Sequence, residues 1–153
     1  MTTPTVLLGV EGIEAAVGRH LGYSEWLEVT QDRIDRFADA TSDHQWIHTD
    51  RGRAAAGPFG ATIAHGYLTL ALSNYFLPHI VEVQGVSTGI NYGTGKVRFP
   101  GPVPSGSRLR AGAELIEAAP VAGGVQTTVL ITVEIEGQAK PAAVIEALSR
   151  YLA

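Results

Sequence analysis

The spacing of apolar residues changes once along the chain. In the C-terminal half it has a period of two. Leu109, Ala111, Ala113 and Leu115 alternate with Arg108, Arg110, Gly112 and Glu114. Val125, Thr127, Val129, Ile131, Val133 and Ile135 then alternate with mostly polar neighbours, Leu130 being the exception. Such alternation predicts half-buried antiparallel strands. Ala122-Gly123-Gly124 and Glu136-Gly137-Gln138 read as hairpin turns, and 86–99 as a strand broken by Gly93 and Gly95. The N-terminal half reads as helix and loop. Trp26–Val29 fits a short strand, and Thr30 an N-cap with Asp32 in the first turn. Ile34, Phe37, Ala38 and Thr41 follow at helical spacing. Residues 42–49 form a polar break, 50–56 one more helical turn, and Gly57–Gly60 a loop. Ala64–Leu77 is apolar nearly all round, which predicts a helix covered on most sides; Pro78 should end it, because the residue before a proline disfavours helix. The tail, 142–152, is ambiguous. Val144, Leu148 and Leu152 suit a helix, while its place after a hairpin turn suits a strand. One apolar helix followed by antiparallel strands predicts an α+β fold with the sheet curled around that helix. The sheet edges left over would be satisfied by pairing across a dimer.

Length and composition narrow this picture. The 153 residues suit a single domain spanning 1–153, with 1–20 as an N-terminal extension. With no cysteine, disulfide scaffolds, cysteine zinc sites, iron–sulfur clusters and thiol catalysis are excluded. Charged residues are only 17% of the chain, too thin a covering for a monomer, so part of the apolar surface should face a partner. A net charge of −4 without a basic run argues against nucleic acid and against an anionic membrane. Met1–Leu8 lacks the basic start and long apolar core of a secretory signal, and 61–80 is interrupted by His65, Ser73, Asn74 and Pro78. A soluble, cytoplasmic protein is therefore expected.

Three local motifs fail on context. Gly85-Val86-Ser87-Thr88-Gly89 spells a nucleophile elbow, but the last histidine is His79 and strand patterns follow instead of a helix. Gly95-Lys96 resembles the end of a phosphate loop, yet Ile90 and Val97 stand where Gly and Ser/Thr are needed. His44 and His48 have zincin spacing, but Gln45 replaces the general-base glutamate, so no metal is expected.

Asp43 and His48 are the pair that carries chemistry. On a continuous helix, five residues would splay them about 140° apart, whereas a turn can bring both to one cavity. A carboxylate and an imidazole sharing one water can take a proton from it and deliver one, which is what adding water across a double bond requires. The alternative is structural: Asp43 capping a local turn, His48 at the surface. His65-Gly66 opens the apolar helix, whose first amides have no internal acceptor. A glycine there lets a carbonyl approach the backbone, so Gly66 N–H is a candidate oxyanion donor, unless His65 merely caps the helix and Gly66 fits a bend.

These segments resemble a known family. Residues 37–48, Phe-Ala-Asp-Ala-Thr-Ser-Asp-His-Gln-Trp-Ile-His, are similar to the hydratase-2 motif of the MaoC-like, (R)-specific enoyl-CoA hydratases, in which a Gly-Asp-x-Asn-Pro-(apolar)-His run holds the catalytic Asp and His. Ile63–Thr69 resembles that family's second signature, at the start of its central helix, and Asn91–Val103 the following strand in one bacterial subgroup. The similarity runs from about Tyr23 to the end.

The resemblance implies a hot-dog fold, usually dimeric, and makes the tail a strand. It implies catalysis by Asp43, His48 and Gly66 on an acyl-CoA or acyl-carrier thioester, with coenzyme A as part of the substrate and no separate cofactor. Gln45, His65, Asn74, Asn91, Lys96 and Arg98 become candidate substrate-binding positions, Asn74 as a supporting hydrogen-bond partner and Lys96 and Arg98 as contacts for the coenzyme A phosphates. The expected reaction is hydration of trans-2-enoyl thioesters to (R)-3-hydroxyacyl thioesters and its reverse, in a homodimer. A hot-dog thioesterase and a non-catalytic acyl-CoA-binding subunit of a heterodimer are the alternatives. Two departures stand out: Ser42 replaces the motif's Gly, and Gln45-Trp46 replaces Asn-Pro, which removes a fixed φ from the turn.

Overall fold

The structure, a computed structural model, describes residues 2–153. The elements in chain order are β1 (Thr5–Leu8), α1 (Gly9–Ala15), β2 (His20–Tyr23), β3 (Leu27–Glu28), α2 (Gln31–Thr41), α3 (Trp46–Thr49) and α4 (Arg51–Ala55). They continue with α5 (Gly66–Ile80), β4 (Val81–Gln84), β5 (Thr88–Arg98), β6 (Arg108–Val121), β7 (Gly124–Ile135) and β8 (Ala143–Leu152). The main sheet runs β2-β6-β7-β8-β5, with β3 also on β6, and all its pairings are antiparallel. It wraps one side of α5. This is an α+β, hot-dog arrangement.

The period of two in β6 and β7 sets the register. Leu109, Ala111, Ala113 and Leu115 lie opposite Ile135, Val133, Ile131 and Val129, and all eight are buried. Their polar neighbours form the outer face, where Arg108 and Glu136 pair at 3.0 Å. Against the inner face packs a stripe of α5: Leu68, Leu72, Phe76 and Ile80, each four residues from the last, so one helical face. Phe76 is fully buried. The N-terminal segment joins the same core through Leu7, Ile13 and Ala16, and β1 pairs in parallel with β4.

Several expectations need correction. α5 continues through Pro78 to Ile80: the ring removes the N–H that would bond the Asn74 carbonyl, and burial of Phe76 and Ile80 on either side offsets that loss. The helix is not covered on most sides within one chain: Tyr67, Ala71, Asn74, Tyr75 and Pro78 are exposed. The polar break contains a helical turn, α3; β1 and β2 in the N-terminal half and β4 just past the midpoint do not stand out in the pattern, unlike the short strand β3 near Trp26. The tail is β8, set between β7 and β5, where a partner on each side overrides its helical spacing. As expected, β5 is irregular, its register shifting between Asn91 and Gly93 and again between Thr94 and Val97. No helix among the described residues is long and apolar enough to cross a membrane.

Candidate active site

Helix α2 carries the first wall of the site. Thr30 caps it, accepting from Arg33 N–H at 3.2 Å, and its inward face presents Ile34, Phe37 and Ala38. It ends at Ser42, which takes the left-handed conformation at φ 61°, ψ 24° and reverses the chain. Asp43 follows in that turn. Its carboxylate lies 3.4 Å from the Gln45 N–H, a long contact, and its side chain is half exposed. Gln45 then adopts extended dihedrals and Trp46 begins α3.

The turn keeps its shape without the motif's proline because Trp46 is wedged in place. The Arg53 guanidinium lies 4.3 Å from its ring centroid, and a Cβ on Gly57 would sit 3.0 Å from the ring. Trp46 therefore clamps α3 to α4 and lies away from the site pocket. α3 points His48 inward, where it is 7% exposed. Its Nδ1 is 2.7 Å from the Ile63 carbonyl, so Nδ1–H donates, which in the neutral ring makes Nε2 the acceptor. Gln31, at the start of α2, donates to the His48 carbonyl at 2.8 Å and accepts from Thr62 Oγ1. Gln31 carries no signal in the sequence that would single it out.

Opposite this loop stands the start of α5. His65 is its N-cap residue but makes no side-chain cap. Instead its ring stacks on His48, with centroids 3.8 Å apart and planes at 20°. Its Nε2 lies 3.0 Å from the Asp43 carbonyl oxygen and 3.9 Å from the Asp43 carboxylate. Gly66 follows as the first helical residue, and Phe99, just past β5, covers it: a Cβ at Gly66 would sit 2.8 Å from the Phe99 ring.

Asp43, His48, His65 and Gly66 thus open onto one pocket of about 450 Å³, with Phe37, Tyr67 and Phe99 among its walls. That size suits a small-molecule site. Nitrogen and oxygen atoms of Asp43, His48 and His65 all lie within 4.8 Å of one another. They suit a metal poorly, because a ligand nitrogen binds along its ring plane at about 2.0–2.1 Å, and two stacked, nearly parallel imidazoles direct their lone pairs side by side. A shared water or a substrate oxygen fits the same space without that demand.

The remaining candidates lie elsewhere. Gln45 is exposed beside the turn and reaches Asp43 through its backbone. Asn74 and Asn91 line a neighbouring groove between α5 and β5. Lys96 and Arg98 are exposed on β5, Arg98 directly before the pocket residue Phe99.

A helix wrapped by an antiparallel sheet, with a carboxylate, an imidazole and a helix-start amide on one pocket, is a hot-dog domain with an enzyme-like site, and its relatives place it in the dehydratase/hydratase class. The chain belongs to the MaoC-like domain family, whose model matches residues 13–136. It is 54% identical over 145 residues to 3-hydroxyacyl-thioester dehydratase Z of Mycobacterium tuberculosis, covering 94% of this chain and 96% of that one. Among solved structures, the R-hydratase PhaJ1 from Pseudomonas aeruginosa superposes with a TM-score of 0.71 at 25% identity, over 89% of this chain and 81% of that one. A MaoC-like dehydratase from Rhodospirillum rubrum gives 0.74 at 21% identity, over 94% and 96%.

Proposed function

We propose that the chain catalyses the (R)-specific hydration of trans-2-enoyl thioesters and the reverse dehydration of (R)-3-hydroxyacyl thioesters. The observation that carries this reading is the meeting of Asp43, His48 and the Gly66 amide on one pocket. The thioester oxygen sits at Gly66 N–H, at the positive end of α5, where negative charge on an enolate is stabilised. His48 Nε2 takes one proton of a water; the Asp43 carboxylate accepts a hydrogen bond from the other and orients the oxygen toward C3. A C–O bond forms at C3, the C2–C3 π electrons move into the enolate, and the proton held on His48 is returned at C2. The proton balance closes without a dissociable cofactor, and coenzyme A or an acyl carrier enters only as part of the substrate. The relative named for 3-hydroxyacyl thioesters supports that substrate class. A single hot-dog unit paired as a homodimer completes the proposal, supported by the exposed face of α5 and the open edge of β5.

The test is hydration of crotonyl-CoA and longer enoyl-CoAs, followed by loss of enoyl-thioester absorbance. Asp43→Asn and His48→Ala should each lower kcat by about 10²–10⁴-fold. No activity at any chain length, or unchanged rates in both variants, would refute the reading. Release of free thiol from acyl-CoA in place of hydration would make the chain a thioesterase.

A further inference from the structure

His65 contacts three residues that line the pocket, Phe37, His48 and Asp43. It is 3% exposed, and its ring is sandwiched, with His48 at 3.8 Å and Phe37 at 4.9 Å between centroids. A carbonyl oxygen can only accept, so the 3.0 Å contact with the Asp43 carbonyl requires a proton on His65 Nε2. The other nitrogen, Nδ1, is buried and has no hydrogen-bond partner among the described residues. A proton there would have no acceptor among the described residues, so of the two ring tautomers the Nε2–H one fits these contacts. The ring is thus held as a one-point donor, aimed at the main chain of the residue whose carboxylate faces the pocket.

The residues after Asp43 are held by the His44–Asp39 contact at 2.8 Å, by Thr49 Oγ1 donating to the His44 carbonyl at 3.2 Å, and by Trp46 packed under Arg53. Asp43 itself follows the left-handed Ser42; its carboxylate has the 3.4 Å contact with Gln45 N–H, and among the described residues His65 supplies the hydrogen bond to its carbonyl. His48, by contrast, is fixed independently by Ile63 and Gln31. We infer that His65 is a positioning residue: it ties the Asp43 turn to the start of α5 and sets the carboxylate's distance from both His48 and the Gly66 amide. This rests on the hydratase reading above. Losing the tie lets the turn drift while the pocket and His48 remain, and a displacement near 1 Å costs about 10²-fold in rate.

Two variants separate the donor from the ring. His65→Phe keeps a flat ring beside His48 and removes the N–H; His65→Gln restores an N–H at similar reach. His65→Phe should lower kcat about 10²-fold with KM changed by less than about threefold, while His65→Gln stays within about tenfold of wild type. A folded His65→Phe with near-normal kcat overturns the inference, as does a raised KM at normal kcat, or a loss in His65→Gln equal to that in His65→Phe. Nitrogen-15 NMR of the unaltered protein supplies the readout should His65→Phe not fold: His65 should be protonated at Nε2 and bare at Nδ1, and the opposite form overturns the tie. If Asp43→Asn and His48→Ala are also at wild-type rate, the hydratase reading is what has failed. If those two are dead and His65→Phe is not, only the role of His65 has failed.

Discussion

In the proposed mechanism, Gly66 is a position where a missing side chain matters for chemistry more than for stability. Its φ is not among the positive ones, so the backbone does not demand glycine. Space does: a Cβ would stand 2.8, 2.9 and 3.1 Å from three atoms of the Phe99 ring. Phe99 is 40% exposed and can swing outward, so the fold can absorb the methyl group. Phe99 is also a wall of the pocket, and the methyl group would intrude where a thioester oxygen must approach. Gly66→Ala should therefore lower kcat/KM by about 10²-fold while destabilising the chain by roughly 1 kcal/mol or less. Kinetics on an enoyl-CoA beside a thermal melt would check this. Full activity in Gly66→Ala would show that the added methyl group lies clear of the substrate's path.

At the scale of elements, the end of α2 decides where Asp43 points. The helix must stop and reverse within a residue, and it does so at Ser42, the single non-glycine residue with positive φ among those described. A left-handed serine costs of order 1–2 kcal/mol, and glycine removes that cost while adding some unfolded-state entropy. Ser42→Gly should thus raise stability by about 0.5–1 kcal/mol, seen as a higher urea midpoint at unchanged slope, with kcat unaltered. A lower midpoint would show that the serine is not strained. The position also shows what the sequence could reveal. The motif's glycine and its replacement by serine were legible, and the αL turn supplies the reason for both. The alternation of β6 and β7 was legible because every second side chain enters one core. The end of α5 differs from the expectation because burial of Phe76 and Ile80 in the core carries the helix through Pro78 against its local preference. β1 and β4 were missed because four-residue strands carry too few alternations to stand out. Asp43 and His48 were legible as letters with a spacing, but the contacts of His65 and Gln31 span 22 and 17 residues and appear only once the chain is folded.

The whole molecule poses a problem that one chain does not solve. The sheet ends on β5, whose outer edge has no strand beside it, and 88–95 carries no charge to discourage pairing. β5 and the outward face of α5 together expose Tyr67, Tyr75, Ile90 and Tyr92, with Tyr67 at 70%. A groove runs between those two elements and meets the active-site pocket at Tyr67. The low charge of the chain has a counterpart here: 88–95, at the open edge, is uncharged, and charge returns on β5 only with Lys96 and Arg98. A second copy presenting the same edge would pair β5 with β5, cover the groove, and enclose an acyl chain leaving the pocket past Tyr67. Sedimentation at assay concentration should therefore give twice the chain mass. Ile90→Lys, placing a charge on that edge, should weaken association at least about tenfold and leave the isolated chain folded. Activity of that variant should fall on dilution in step with dimer content, most steeply for long acyl chains, whose apolar length has the most to lose. A wild-type monomer with full activity on every chain length would overturn the dimer and leave the open edge to some other partner.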